Sequence, residues 1–195
     1  MFTAIIRNMS NNSIILTVAD DLCLKTRQMG DAEQLFALVN KNRDYLRPWL
    51  LWVDESKSPE DSKKYIEECL EDLRKKTKVD FGIWFQGTLV GSIGIFDISG
   101  QNRSAEIGYW LGEEYTGKGI MTKCVSKLID YGFGELDLNR IRIRCVPENV
   151  QSAHIPERLG FIHEGTHRQS QWMYDKFLDD AVYGLLKSEW RSKNQ

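Results

Sequence analysis

Three consecutive strand-like segments, joined by short turns, place the tightest limit on the fold of this chain. Phe81–Phe85 and Leu89–Asp97 flank Gln86-Gly87-Thr88, a pattern typical of a β-hairpin. Ser104–Leu111 follows as a third apolar segment. Strands joined by tight turns pair antiparallel, whereas a dinucleotide-binding βαβ unit needs a helix between parallel strands. The sequence therefore predicts an α+β domain.

A glycine loop and a helix follow this meander. Apolar residues recur with a period of 3.6 after Gly117-Lys118-Gly119, which predicts a helix from about Gly119 to Phe133. Glycines before a helix let a phosphate approach the unpaired N–H groups, although the same loop could simply connect two elements. The chain contains no P-loop string, and Thr122 stands where a dinucleotide fingerprint needs its third glycine.

Two further helices have recognisable starts. Asp31 is predicted to cap one helix, with Gln34 completing a capping box. Ser58-Pro59 begins the other, since serine caps well and proline suits the first helical position. We predict residues 1–21 to be an irregular N-terminal extension with at most a short strand, and residues 22–195 to be a single domain.

Composition excludes several classes of function. The chain has 195 residues and a net charge of −2, so it lacks the basic footprint of a nucleic-acid-binding protein. Its apolar runs are too short to cross a membrane. His163 and His167 are four residues apart, but their segment resembles a strand, so we expect no metal site. The scattered cysteines suggest reduced, buried thiols and a cytoplasmic protein; they are Cys23, Cys69, Cys124 and Cys145.

A strand with alternating arginines comes next, beginning at Arg140 and ended by Pro147. Its arginines share one face, which predicts either a salt-bridged surface or a basic wall for an acidic substrate; they are Arg140, Arg142 and Arg144. Asn149 is a good N-cap for a helix that contains Ser152. Gly160 ends that helix, and a strand is predicted from Phe161 to His167.

Several motifs, in this order, resemble the GNAT family of N-acetyltransferases, and particularly its subgroup of ribosomal-protein N-terminal acetyltransferases. They are "LRPWLLW" (46–52), "LVGSIGI" (89–95), "AEIGYWL" (105–111), "EYTGKG" (114–119) and "NVQSAHIPERLGF" (149–161). The similarity spans about residues 22–190. Glu114 departs from the family, which prefers glutamine or arginine there, so we expect its side chain to point to solvent.

The resemblance implies a mixed, mostly antiparallel twisted sheet flanked by helices, acetyl-CoA as co-substrate and no metal. It places the pyrophosphate on the main-chain amides of the glycine loop and the pantetheine arm beside the end of "GYWL". Ser152 is implied as the proton donor to the leaving thiolate, although it could be an ordinary helix residue. The implied cofactor-binding residues are Trp110, Leu111, Gly117, Lys118, Gly119, Ile120, Met121 and Asn149.

The general base and the acceptor remain open. The resemblance places a glutamate in the loop before the last strand, where this chain has Gln171, which cannot accept a proton. Glu106 is the remaining carboxylate, although a hydrogen-bonded strand residue explains it equally well. Tyr174 and His163 are weaker candidates, and water is the alternative to a protein base. Aromatic side chains that either line the acceptor groove or belong to the core are Trp49, Trp52 and Trp172.

The expected function is therefore acetyl transfer to the α-amine of a protein N-terminus, such as that of a ribosomal protein. Two alternatives remain: acetylation of a small amine such as a polyamine, amino acid or antibiotic, and acetyl-CoA binding without catalysis. We expect no nucleic-acid or membrane partner, and a homo-oligomer is compatible with the sequence.

Overall fold

A computed structural model describes residues 5–8 and 13–193 and contains a nine-stranded sheet with six helices in this part of the chain. The strand order is β1-β2-β3-β4-β5-β6-β7-β9-β8, and β6 and β7 pair in parallel. This confirms the α+β class and the mixed, mostly antiparallel sheet. The strands are β1 (Ile5–Asn8), β2 (Ser13–Ala19), β3 (Leu22–Thr26), β4 (Val79–Phe85), β5 (Thr88–Ser99), β6 (Ser104–Leu111), β7 (Arg140–Cys145), β8 (Ile162–Met173) and β9 (Lys176–Leu186). The helices are α1 (Ala32–Lys41), α2 (Arg43–Leu46), α3 (Pro59–Lys75), α4 (Ile120–Gly134), α5 (Val150–Leu159) and α6 (Lys187–Lys193).

The chain divides into two compact units. The first comprises Met1–Gly94 and Tyr109–Lys127, and the second comprises Ile95–Gly108 and Leu128–Gln195. Strands β5 and β6 and helix α4 therefore contribute one part to each unit. We describe the two units separately.

The predicted hairpin lies between β4 and β5. Gln86 and Gly87 form its two-residue loop, with φ angles of 50° and 78°. Two successive positive φ angles are typical of a type I′ turn, whose twist matches that of paired strands. The local sequence thus explains why β5 turns back on β4.

Two amphipathic helices cover the first unit. Leu35 and Val39 of α1 and Ile66 of α3 belong to one buried cluster. Ser58 caps α3 as predicted, and its N–H donates to Asp61 Oδ2 over 2.9 Å. The predicted Asp31 and Gln34 box is wrong. A 3-10 turn precedes α1, and the Asp31 carboxylate instead accepts from the N–H of Gln28 at 2.9 Å.

The first unit also contains a buried charge pair that the sequence did not indicate. Arg27 Nε lies 2.9 Å from Asp80 Oδ1, and both side chains are 1% exposed. Asp80 also accepts from the Tyr65 hydroxyl at 2.8 Å. Because β4 is otherwise apolar, these partners stabilise a charge that would be costly to bury alone.

Strand β7 organises the second unit. Ile141, Ile143 and Cys145 are buried on one face, as the alternation predicted. The arginine face is salt-bridged: Arg140 contacts Glu164, and Arg142 and Arg144 both contact Glu106. Strand β8 is longer than the predicted Phe161–His167 and forms a hairpin with β9.

The N-terminal residues are more regular than predicted. Strand β2 pairs with both β1 and β3, and Leu16 in β2 is completely buried. An irregular extension is therefore wrong for residues 13–19. A domain boundary at residue 22 remains a prediction.

Three further observations concern the residues that the structure describes. None of their helices combines the length and apolarity needed to span a bilayer. They include no group of three or more His, Cys, Asp or Glu side chains arranged to hold a metal ion. The four cysteines are all free, and burial raises the pKa of Cys124 to about 12.

Candidate active site

The glycine loop has the geometry that an anion site at a helix start requires. Gly117 and Gly119 both have a φ of 72°, in the left-handed region, and both are exposed. A Cβ added to either would meet nothing within 4 Å, so the space above the loop is open. Gly119 immediately precedes α4 and has no side chain with which to cap the helix. The first N–H groups of α4 are therefore available to an anionic ligand.

Two charged side chains next to this loop, Glu114 and Lys118, have defined contacts. Glu114 forms an ion pair with Lys41, and this contact lowers the pKa of the Glu114 carboxyl. Its side chain is 45% exposed, so the expectation that it points to solvent holds only in part, because Lys41 holds it. Lys118 Nζ lies 5.3 Å from the centre of the Tyr115 ring. Lys118 thus keeps its charge close to the loop.

The predicted pantetheine segment packs against an aromatic partner within the first unit. The rings of Trp110 and Trp52 are 5.8 Å apart. Leu111 is buried, and a Cβ added to Gly91 would lie 2.4 Å from the carbonyl oxygen of Trp110. Only glycine at position 91 permits this close approach of the backbones. Trp49 follows α2 and is half-buried. The structure thus brings Trp52 and Trp110 together, which is compatible with both the packing role and the groove role.

In the second unit, the start of α5 brings Asn149 and Ser152 together. Asn149 Oδ1 accepts from the Ser152 N–H at 3.2 Å, which confirms the predicted N-cap. The Ser152 hydroxyl hydrogen-bonds to the Cys145 thiol, while burial raises the pKa of that thiol to about 11. A proton-donating hydroxyl is therefore held at the end of β7. Whether it serves the leaving thiolate remains a prediction.

Glu106 lies inside an ion-pair network. Its Oε2 accepts from Arg142 Nε at 2.7 Å and from Arg144 Nε at 2.8 Å, and its side chain is 16% exposed. Arg142 also contacts Asp97 at 3.1 Å. Two guanidinium groups on one carboxylate oxygen favour the structural role that the sequence left open. A catalytic role for Glu106 remains a prediction to be tested.

The hairpin of β8 and β9 contains the remaining candidates. Gln171 lies within β8, opposite Leu178, rather than in the predicted loop before the last strand. Trp172 is 53% exposed, and its ring lies 4.7 Å from that of Phe177. Of the weaker candidates, His163 packs against Tyr183 of β9, with ring centres 5.2 Å apart. Tyr174 lies in the turn between β8 and β9.

This hairpin contains one further carboxylate that was not among the predicted site residues. Asp180 in β9 is 7% exposed, and its Oδ2 lies 3.1 Å from Arg144 Nη1. Burial raises the pKa of its carboxyl, while Arg144 opposes this effect. The available signal was a pair of aspartates, at 179 and 180, inside a strand whose other residues, apart from Lys176 at its start, are mostly apolar.

Comparisons with known proteins identify the family. Residues 21–162 match the acetyltransferase (GNAT) domain. The chain belongs to the GNAT acetyltransferase family. It is 34% identical to YdaF of Bacillus subtilis (strain 168), over 90% of this chain and 97% of that protein. It is 30% identical to the ribosomal-protein-serine acetyltransferase of Escherichia coli (strain K12), over 88% of this chain and 96% of that protein.

Solved structures agree with this GNAT assignment. The RimL ribosomal α-N-protein acetyltransferase in complex with coenzyme A superposes with a TM-score of 0.87 and 26% identity, covering 90% of this chain and 99% of that one. A microcin C7 self-immunity acetyltransferase in complex with acetyl-CoA and AMP has a TM-score of 0.84 and 27% identity, covering 88% of this chain and 95% of that one. The predicted fold, family and enzyme class are therefore confirmed: this chain is an N-acetyltransferase.

Proposed function

We propose that this GNAT enzyme transfers the acetyl group of acetyl-CoA to the α-amine at the N-terminus of a protein, such as a ribosomal protein, in the cytoplasm. The observation that carries the proposal is the similarity, over most of both chains, to the ribosomal-protein-serine acetyltransferase of Escherichia coli. The structural neighbour RimL, an α-N-protein acetyltransferase, supports the same acceptor class.

The chemistry of the site fits an acceptor of low basicity. An α-amine has a pKa of about 7.7–8.0, so a sizeable fraction is neutral near pH 7.5, whereas a lysine amine at about 10.4 is neutral only about one part in a thousand. Gln171 supplies no carboxylate at the position where the family places a glutamate. An acceptor that is already partly neutral demands less help with its proton.

On the donor side, we propose that the loop amides from Gly117 to Met121 hold the pyrophosphate, with Lys118 adding positive charge. The left-handed glycines, and the lack of a side chain at Gly119 directly before α4, support this role. The pantetheine arm would lie along the backbone of Trp110 and Leu111, with Asn149 as a further contact. Ser152 would then protonate the leaving thiolate.

Two peptides test the acceptor. One has a free N-terminus and no lysine; the other is blocked at its N-terminus and contains one lysine. At pH 7.5 the first should react at least about tenfold faster. Spermidine provides a third arm, because a spermidine acetyltransferase of Vibrio cholerae is 25% identical over 89% of this chain and 98% of that protein. Faster acetylation of spermidine or of the lysine peptide would overturn the α-amine assignment, and binding without turnover would support the non-catalytic alternative.

The loop assignment is tested by Gly119→Val. Valine strains the left-handed backbone at position 119 and occupies the space above the loop, so acetyl-CoA affinity should fall at least about tenfold, or 1.4 kcal/mol. Gly134→Val is the matched control, because Gly134 ends the same helix and also has open space around it. Lys118→Ala gives a second variant without backbone strain and should also weaken binding. Calorimetric affinities equal to wild type in folded variants would remove the pyrophosphate from this loop.

A further inference from the structure

The carboxyl group of Asp180 has an environment unlike that of a surface ion pair. It is nearly buried in β9, and its one charged partner at hydrogen-bond distance, among the residues that the structure describes, is Arg144 at 3.1 Å. Arg144 is shared, since its Nε also donates to Glu106 at 2.8 Å. Asp180 therefore has part of one guanidinium, whereas Glu106 has contacts from two.

The strand register relates Asp180 to Gln171. Gln171 of β8 pairs with Leu178 of β9, and directly paired residues place their side chains on the same face. Asp180 is two residues beyond Leu178 on β9, so it shares that face, and it pairs directly with His167; β8 bulges between His167 and Gln171. A carboxylate therefore lies one step along β9 from the position where the resemblance places the catalytic glutamate.

The charges around Asp180 leave an excess of negative charge on this face. Asp97, Glu106 and Asp180 share the guanidinium groups of Arg142 and Arg144, so three carboxylates face two cations. Burial raises the pKa of the Asp180 carboxyl; Arg144 lowers it, Glu106 raises it and the nearby His167 lowers it. Cys145 is buried on the opposite face of β7, and the pKa of its thiol is raised by burial and, to a smaller extent, by the Asp180 charge. A carboxylate with a raised pKa is a better proton acceptor than an ordinary one, and this face favours a cationic ligand.

We propose that Asp180 is the proton acceptor for the substrate amine, directly or through one water molecule, and that it replaces the carboxylate missing at position 171. This inference rests on the proposed function. The acceptor arrives as an ammonium ion and gives one proton to Asp180, which passes it to solvent. The neutral nitrogen then bonds to the thioester carbon and the carbon–sulfur bond breaks. The second nitrogen proton passes to solvent, and the thiolate takes one proton from Ser152, which solvent reprotonates, to become coenzyme A.

Asp180→Asn tests this assignment, with Glu164→Gln as the matched control. Glu164 of β8 is also a strand carboxylate held by an arginine of β7, Arg140. Arg140 lies towards the opposite end of β7 from Arg144. With the free-N-terminus peptide at pH 6.5, Asp180→Asn should lower kcat/KM by about 100-fold or more, and Glu164→Gln by less than about twofold. The affinity for acetyl-CoA should not change in either variant.

The pH profile separates proton transfer from a structural defect. Above the pKa of the amine the acceptor is neutral without help, so the defect of Asp180→Asn should shrink to about tenfold or less by pH 9. Asp180→Glu, which keeps a carboxylate, should recover part of the rate at pH 6.5. Equal activity of Asp180→Asn and wild type, or a loss of the same size at every pH, would overturn the role of Asp180. Absence of turnover by the wild-type protein with every amine would instead overturn the proposed function, and the inference with it.

Discussion

Each of the two units contains an arginine–aspartate pair, and the two pairs differ in how completely they are closed off from solvent. Arg27 and Asp80 lie 2.9 Å apart, and both side chains are 1% exposed. Arg144 and Asp180 lie 3.1 Å apart, but Arg144 is 41% exposed. Nearly equal distances thus occur in two different settings, one sealed and one with access to water.

The hydrogen-bond donors around each carboxylate explain what the two pairs can do. Asp80 accepts from Arg27, from the Tyr65 hydroxyl at 2.8 Å and from the Ser92 hydroxyl at 3.4 Å. Asp180 accepts from the Arg144 guanidinium, which also donates to Glu106. A carboxylate with many buried donors stabilises the fold around it, whereas one with few donors remains able to exchange a proton. Distance alone does not separate these roles; the number of donors and the access to solvent do.

The largest expected effect comes from breaking the sealed pair. Asp80→Asn leaves the Arg27 charge buried without its counter-ion, so the free energy of unfolding should fall by about 3–5 kcal/mol. Urea denaturation measures this. The control is Asp54→Asn, which removes the exposed partner of Arg47 in the same unit and should cost about 0–1 kcal/mol. A loss below about 1 kcal/mol for Asp80→Asn would remove the distinction between sealed and open pairs.

The second effect compares two serines, Ser152 in the second unit and Ser92 in the first. Ser152→Ala removes the proposed donor to the thiolate and should lower kcat by about tenfold to 100-fold, with little change in acetyl-CoA affinity. Ser92→Ala removes a hydroxyl that contacts Asp80 and should cost about 1 kcal/mol of stability while kcat stays unchanged. Steady-state kinetics and urea denaturation on both variants decide the matter. A Ser152→Ala enzyme with wild-type kcat, when chemistry limits the rate, would make this serine a helix residue only.

A third effect has an unusual sign. The pKa of Asp180 is raised in the folded protein above its ordinary value of 3.8, so the folded state binds its proton more tightly. Its contribution to stability is present below pH 3.8 and is lost as the pH rises through the folded pKa. At pH 7 Asp180→Asn should therefore melt no lower than wild type, and any gain in Tm should vanish near pH 3.5. A much lower Tm at pH 7 would show that Asp180 is a structural residue like Asp80.

The smallest effect belongs to Glu164. Contact with Arg140 lowers the pKa of this carboxyl below its ordinary value of 4.5, so its contribution to stability is present above pH 4.5 and is lost as the pH falls. Because the pair is partly exposed, Glu164→Gln should cost about 0–1 kcal/mol at pH 7 and less in acid. Thermal melts at both pH values would show the opposite trend to Asp180→Asn. The same trend in both variants would contradict the comparison.

Features encoded by neighbouring residues were predictable from the sequence. The Gln86-Gly87 turn, the Ser58 cap and the glycine loop before α4 each depend on backbone preferences within a few positions. The arginine face of β7 followed from simple alternation. Family resemblance then supplied the class of reaction and the donor, which no local pattern could provide.

Features that depend on strand register were not predictable in the same way. Asp180 acquires its environment from Arg144 and Glu106, which belong to two other strands. Gln171 was placed in a loop by the family resemblance; β8, which runs through it, is highly exposed and lacks a buried face that would mark it as a strand. The Arg27–Asp80 pair likewise joins positions that are far apart in sequence, so neither residue alone signals the other.

The two-residue turn between β4 and β5 also has a consequence for folding kinetics. Its loop is short and its left-handed residues match the required geometry, so we expect this hairpin to close early, with a small entropic barrier. The parallel pairing of β6 with β7 joins strands that are separated in sequence by the crossover helix α4, so we expect it to form late. Gly87→Ala, which strains a φ of 78°, should therefore slow refolding more than it speeds unfolding. Stopped-flow traces showing faster unfolding and unchanged refolding would instead mean that the hairpin forms after the rate-limiting step.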